Sequence, residues 1–234
     1  MLQPFPAELE NNLYQWFRVT LTYTSNAIEG NTLTLGETAQ IVEKNLTVSG
    51  KSIVEHLEAI NHAQAIDYIK SLSKKIKRQQ LSLSEILDLH KIVLQKISDE
   101  WVGKLREVAI RITGSNVARP NYIKVPELIY ELVNWIKSSS DHPAQIAADA
   151  HLKFVCIHPF VEGNERSARL LMNYILLQDN YPLIYIDSQD RQKYIDSIEK
   201  ALKGDTRDYY ELIFRAIESS LDEYLMAARE SKLS

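Results

Sequence analysis

Cysteine is almost missing from this 234-residue chain: Cys156 is the only one. No intrachain disulfide can form, so a reducing compartment is expected. Glycine and proline are also scarce, at seven each, and runs of period-two alternation are few, which disfavours an extended sheet. No apolar run approaches the roughly 18–20 residues needed to cross a bilayer. The first residues, MLQPFPAELENN, lack a basic stretch followed by an apolar one, unlike a signal peptide. A cytoplasmic protein is therefore expected, with export by a machinery that reads no N-terminal signal left open. Long blocks of one charge are absent too. The formal net charge is -4, and the nearest thing to a basic cluster is Lys74, Lys75, Lys77 and Arg78. These read as the solvated end of a helix, so neither nucleic acid nor membrane is an expected partner.

What is present is helical periodicity. Apolar residues recur at helical spacing over 13–23, 53–72, 86–97, 128–136, 146–157, 168–177, 194–202 and 210–225. Thr34 with Glu37, and Ser82 with Glu85, have the spacing of capping boxes. Gly204 is placed to end a helix after Lys203. One run differs: 108–113, VAIRIT, alternates and is rich in β-branched residues, so it predicts a short strand followed by a turn at Gly114-Ser115-Asn116. The expectation is one all-α domain over 1–234 with a small β-hairpin at about 106–118.

The stretch that carries chemistry is HPFVEGNERSAR, residues 158–169. Pro159 ends the preceding helix at or before His158, because the residue before proline is excluded from the α region. Gly163 permits a tight turn, and the next helix starts near Asn164, so its free N–H groups face the loop as an anion site. Arg166 and Arg169, three apart, share a helix face from which both can grip phosphate oxygens. Glu162 beside such a site implies a divalent cation, with Mg²⁺ the usual one for phosphates. His158 supplies a base whose ordinary pKa lies near the working pH. Together these residues describe phosphoryl or nucleotidyl transfer.

The loop resembles the Fic family signature His-Pro-Phe-x-(Asp/Glu/Asn)-Gly-Asn-Gly-Arg-x-x-Arg, and eleven of twelve positions are compatible. The resemblance implies a helical Fic fold, with inhibitory helix at about 20–30, flap at about 106–118 and signature loop and helix over 158–177. It implies a protein AMP transferase using Mg²⁺ and ATP, able also to remove AMP; the alternatives are an enzyme that mainly removes AMP and a nucleotide-binding pseudoenzyme. The partner would be a protein bearing a Ser, Thr or Tyr hydroxyl. His158 would be the base, with Asn164 and Arg166 also catalytic. Glu162 would hold the metal, and Gly163 and Asn164 the anion hole. Glu165, Arg166, Ser167, Ala168 and Arg169 would continue the nucleotide site along the helix. The flap, Ile112 to Ser115 through Thr113 and Gly114, would close over the nucleotide, and Tyr194 would stand near the adenine. A second adenine-side position, often Asn in the family, is Leu202 here.

SNAIEGN, residues 25–31, matches the family's inhibitory pattern, with Ser25 and Glu29 one helical turn apart and Gly30 ending the helix. By that resemblance Glu29 pairs with Arg169 and restrains transfer. Glu165 is the departure, standing where the family has glycine. Its carboxylate should repel β- and γ-phosphates, leaning the balance toward AMP removal. His151 is expected to be a hydrogen-bonded core histidine, Cys156 a buried thiol, and Tyr209 and Tyr210 either core or a dimer contact.

Overall fold

The computed structural model describes residues 6–112 and 117–230. The described residues form nine α-helices: α1 (Ala7–Ile28), α2 (Leu35–Lys44), α3 (Ile53–Lys75), α4 (Leu83–Leu94), α5 (Val125–Ser138), α6 (Pro143–Ile157), α7 (Asn164–Gln178), α8 (Arg191–Ala201) and α9 (Arg207–Glu230). The all-α expectation holds, and so do both capping boxes: Thr34 with Glu37 opens α2 and Ser82 with Glu85 opens α4. A third box, Ser52 with Glu55, opens α3.

Helix α7 is the centre. It is buried from Arg166 through Leu176, although four of those positions (Arg166, Ser167, Arg169 and Asn173) are polar. A helix wrapped on all sides needs partners for such groups. Asn173 shows how they are found: its amide donates to the Arg169 and Ile184 carbonyls, and its Oδ1 accepts from the Ile184 N–H. Helices α1, α3, α4 and α6 pack around α7, with Phe17, Leu21, Ile66, Leu94, Phe154 and Leu170 in one continuous core. This wrapping sets both ends of the 158–163 loop on rigid helices, which is what a preorganised site requires.

Among the described residues the predicted strand is not formed. Residues 108–112 carry no strand, and Thr113, Gly114, Ser115 and Asn116 lie outside the described residues. A β-branched alternating run favours extended backbone, but a strand exists only where a second strand accepts its N–H and C=O groups. Here the backbone is held by a side chain instead: Arg106 donates to the Val108 carbonyl at 3.0 Å and to the Pro120 carbonyl at 2.6 Å. Cys156 also departs from expectation. It is exposed, because it falls on the outward face of the last turn of α6.

Candidate active site

The loop is built by its own residues. Helix α6 stops at Ile157, and His158 then adopts a left-handed backbone at φ 49°, ψ 64°. Gly163 is left-handed as well, at φ 71°, and a Cβ there would touch Leu94 at 3.4 Å. Only glycine takes that turn without strain. The Asn164 side chain closes the loop from inside, accepting from the Phe160 N–H at 2.9 Å and donating to the Phe160 carbonyl at 3.0 Å. Its amide is thus spent on loop shape, and only its backbone N–H is left for an anion. Phe160 is fully buried and stacks on His90 at 3.6 Å. His90 accepts from the Gly103 N–H at Nδ1 and so carries its proton on Nε2, which donates to the Glu162 carbonyl.

His158 faces a cavity of about 470 Å³ whose walls include Glu29, Ile112, Arg119, Glu165, Arg191 and Tyr194. Burial, then the nearby charges of Arg119 and Arg106, push its pKa down to about 3, with the Val155 carbonyl pulling weakly the other way. The expectation of a pKa near the working pH is therefore corrected. A cationic imidazole is penalised in a buried site with two arginines beside it. The ring is neutral at physiological pH and can accept a proton without first losing one.

Both signature arginines are already engaged. Arg169 donates to Ser25 Oγ, to the Ser25 carbonyl and, at 2.7 Å, to Glu29 Oε1. Arg166 donates to Glu58 Oε1 at 3.0 Å, while Glu58 Oε2 takes the Asn31 amide. The Ser25–Glu29–Arg169 arrangement is the one expected. Helix α1 ends at Ile28, Glu29 caps it, and Gly30 turns away at φ 99°. Glu58 was not foreseen, since 108 residues separate it from Arg166 and nothing local marks it. Arg106, Arg119 and Arg191 were missed for the same reason. Arg191 donates to the Ile28 carbonyl at 2.6 Å, fastening the end of α1 to α8.

Other expected residues sort by burial. Ser167 and Ala168 are fully buried, so their side chains face the helix bundle rather than a ligand. Tyr194 lines the cavity wall, yet its hydroxyl lies 2.7 Å from His151 Nε2. Tyr209 donates to the Ala148 carbonyl and receives His151 Nδ1–H, so His151 is a core histidine with both nitrogens satisfied. Tyr209 is core, and Tyr210 is half-buried beside Asp149. Glu165 lies 3.6 Å from His158 Nδ1, and burial together with the charge of Glu29 pushes its pKa up. Glu162 is exposed at the loop's turn. Among the described residues no group of three or more His, Cys, Asp or Glu could hold a metal. A lone carboxylate fits Mg²⁺ only when phosphate oxygens and water complete the shell. A cavity of about 550 Å³ between α8 and α9 contains none of these residues. Paired charges such as Lys200 with Asp208 and Arg215 with Glu211 line it.

Buried neutral histidines make the fold acid-sensitive. His158 and His151 are pushed to about 3 and His90 to about 4, each mainly by burial. Unfolded histidines titrate near 6.5, so below that pH the unfolded chain binds protons that the folded chain refuses. Stability should be full above about pH 6.5 and fall as pH drops toward 4, by roughly 1.4 kcal/mol per histidine per pH unit at most. Urea melts at pH 7, 6 and 5 read this directly, and an unchanged midpoint would show that these rings ionise in place.

Comparison with known proteins gives a consistent picture. A profile of the Fic/DOC family matches residues 80–176. The protein adenylyltransferase Fic of Drosophila virilis is 37% identical over 211 residues, covering 89% of this chain and 43% of the relative. That of Nematostella vectensis is 35% identical over 206 residues, covering 87% of this chain and 48% of the relative. The chain thus spans less than half the length of these curated relatives. The solved structure of Fic-1 residues 134–508 from C. elegans superimposes with a TM-score of 0.87 at 31% identity, covering 98% of this chain and 68% of that one.

Proposed function

This chain belongs to the Fic/DOC family, and on that premise we propose that it transfers AMP from ATP to a protein hydroxyl under restraint by Glu29. The observation that carries the proposal is His158, which is buried, neutral and turned into the cavity just before the start of α7. The target hydroxyl oxygen attacks the α-phosphorus as the bond to the β-phosphate oxygen breaks. A phosphodiester forms, pyrophosphate leaves, and His158 takes the hydroxyl proton. Asn164 shapes the loop so that the first N–H groups of α7 meet the phosphate. Arg166 and Arg169 grip the polyphosphate once Glu58 and Glu29 let go. Glu162 would hold Mg²⁺, which neutralises phosphate charge when bound. Incubation with α-³²P-labelled ATP and a cell lysate tests the reading, and a folded protein that labels nothing even after Glu29 is replaced would sink it.

A second reading, removal of AMP from a modified protein, is favoured by Glu165. Its carboxyl lies against His158 and near Glu29, and burial and the Glu29 charge push its pKa up, so that further negative charge beside it is disfavoured. It therefore stands at the opening of α7 where a polyphosphate would arrive. Protein-linked AMP, with one phosphate, meets less repulsion than ATP with three. Glu165→Gly should accordingly tighten Mg-ATP binding about tenfold or more and change AMP binding less. At an effective dielectric near 20 and ~5–6 Å, one such repulsion is at most roughly 3 kcal/mol. Calorimetry with both ligands decides it: equal ATP affinity in the two proteins would mean that the carboxylate turns away from phosphate.

A further inference from the structure

Arg106 is the most completely engaged side chain near the site, and no residue of the chemistry described above touches a ligand through it. It is 2% exposed. Its Nε donates to the His158 carbonyl at 2.8 Å, its Nη2 lies 3.5 Å from the Ile157 carbonyl and 2.6 Å from that of Pro120, and its Nη1 donates to Val108. Its backbone N–H reaches the Pro159 carbonyl at 2.9 Å. All the acceptors are carbonyls. Burying a guanidinium without a carboxylate partner costs several kcal/mol that an apolar side chain of similar shape would avoid. Its retention therefore points to a task that only a planar multiple donor can perform.

Two features around it need such a donor. First, His158 has a left-handed backbone although it is neither glycine nor asparagine, and it precedes a proline that narrows its options further. A conformation of that kind is strained and persists only where neighbours overdetermine it. Arg106 grips the carbonyls on both sides of the His158 Cα, namely those of Ile157 and His158, and the Pro159 carbonyl beyond. Second, the same guanidinium joins residues 108 and 120, the two arms of the segment that contributes Ile112 and Arg119 to the cavity.

We propose that Arg106 is a positioning residue for the reaction: it locks the His158 backbone so that the ring faces the cavity, and through the Val108 and Pro120 carbonyls it ties residues 108 and 120 to the same guanidinium. The aim of the base and the seat of the segment are thereby set together. This rests on the reading of His158 as the base, and the test keeps the two apart.

Arg106→Met keeps the bulk and removes every donor; Arg106→Lys keeps the charge and one donor centre. Backbone chemical shifts of His158, measured by NMR without any nucleotide, report its φ whether or not the protein transfers AMP. Both variants should shift His158 out of the left-handed region, and in Arg106→Met the ring should titrate at higher pH because a nearby cation is gone. In a Glu29→Gly background kcat for AMP transfer should fall about 10–100-fold, since small misplacement of a base is that costly. KM for ATP should stay within threefold, and Lys should recover more of kcat than Met. If Arg106→Met does not fold, Arg106→Lys alone carries the backbone and kcat comparison. A His158 φ that is unchanged in a folded variant overturns the proposal, as does a loss confined to KM or to thermal stability. Absence of AMP transfer in every form, with His158 displaced by the substitutions, would overturn the catalytic reading and leave the positioning role standing.

Discussion

His158→Ala should lower AMP transfer by about 10²–10⁴-fold, the range a well-placed general base supplies, while leaving nucleotide affinity within a few-fold. The fold should tolerate the change. His158 Nδ1 makes no hydrogen bond, and the ring has only a weak tie to the Val155 carbonyl, so alanine gives up little that holds the fold. What alanine cannot relieve is the left-handed backbone, whose carbonyl is held by Arg106 rather than by the imidazole. The pH profile adds a second check. With the His158 pKa near 3, loss of the base by protonation should not appear between pH 5 and 8. An acid limb near 6.5 in the wild-type rate, absent from a residual activity of the alanine variant, would mean that the ring is solvated and titrates normally. Single-turnover labelling over pH 5–8 makes the measurement, and wild-type labelling by His158→Ala would remove the residue from the mechanism.

Glu29→Gly should raise AMP transfer, self-labelling included, by tenfold or more and reduce any AMP removal. Arg169 is fully buried, and its Nη2 is shared between the Ser25 carbonyl and Glu29, leaving Nη1 as the unpaired end. Burial works against its charge, but Glu29 holds that charge in place and keeps the pKa raised. Deleting the carboxylate leaves a buried cation without its partner, which costs up to ~3–5 kcal/mol in the fully buried case and less here, where Glu29 is partly solvated. The same substitution should therefore lower the melting temperature of the free protein. A phosphate of Mg-ATP then replaces the missing carboxylate, so ATP should restore more thermal stability to Glu29→Gly than to wild type. Radiolabel incorporation and melting with and without ATP test both halves. Unchanged labelling with unchanged ATP stabilisation would show that the ion pair is structural only. The Arg166–Glu58 pair predicts a smaller effect of the same sign for Glu58→Ala, because Glu58 holds Arg166 by a single hydrogen bond whereas Arg169 is held by both Ser25 and Glu29.

Much of this was legible along the chain because the controlling contacts are local. Capping boxes act over three residues, Gly163 and Pro159 impose their backbone on neighbours, and Ser25 and Glu29 share a helix face by periodicity alone. Those signals gave the helical class, the ends of α2, α4 and α6, and the existence of a glycine turn before α7. The 158–169 stretch also carried its chemistry, since a base, an acid and two arginines within twelve residues need no tertiary contact to be noticed.

Only the packed structure decided the rest. The run at 108–112 has the composition of a strand, but strand formation depends on a partner, and among the described residues it has none, its Val108 carbonyl being taken by Arg106 instead. His158 has an ordinary histidine's titration in any sequence, and it is burial beside Arg119 and Arg106 that makes it neutral. Glu58 and Arg191 reach the site from helices that are 108 residues before Arg166 and 163 residues beyond Ile28. Periodicity and capping are properties of neighbours in the chain, so the amino-acid sequence determined the helices and the reactive loop. Desolvation and counter-charges belong to neighbours in space, so the protonation of the base, the occupation of both arginines and the anchoring of α1 were decided only when α1, α3 and α8 closed around α7.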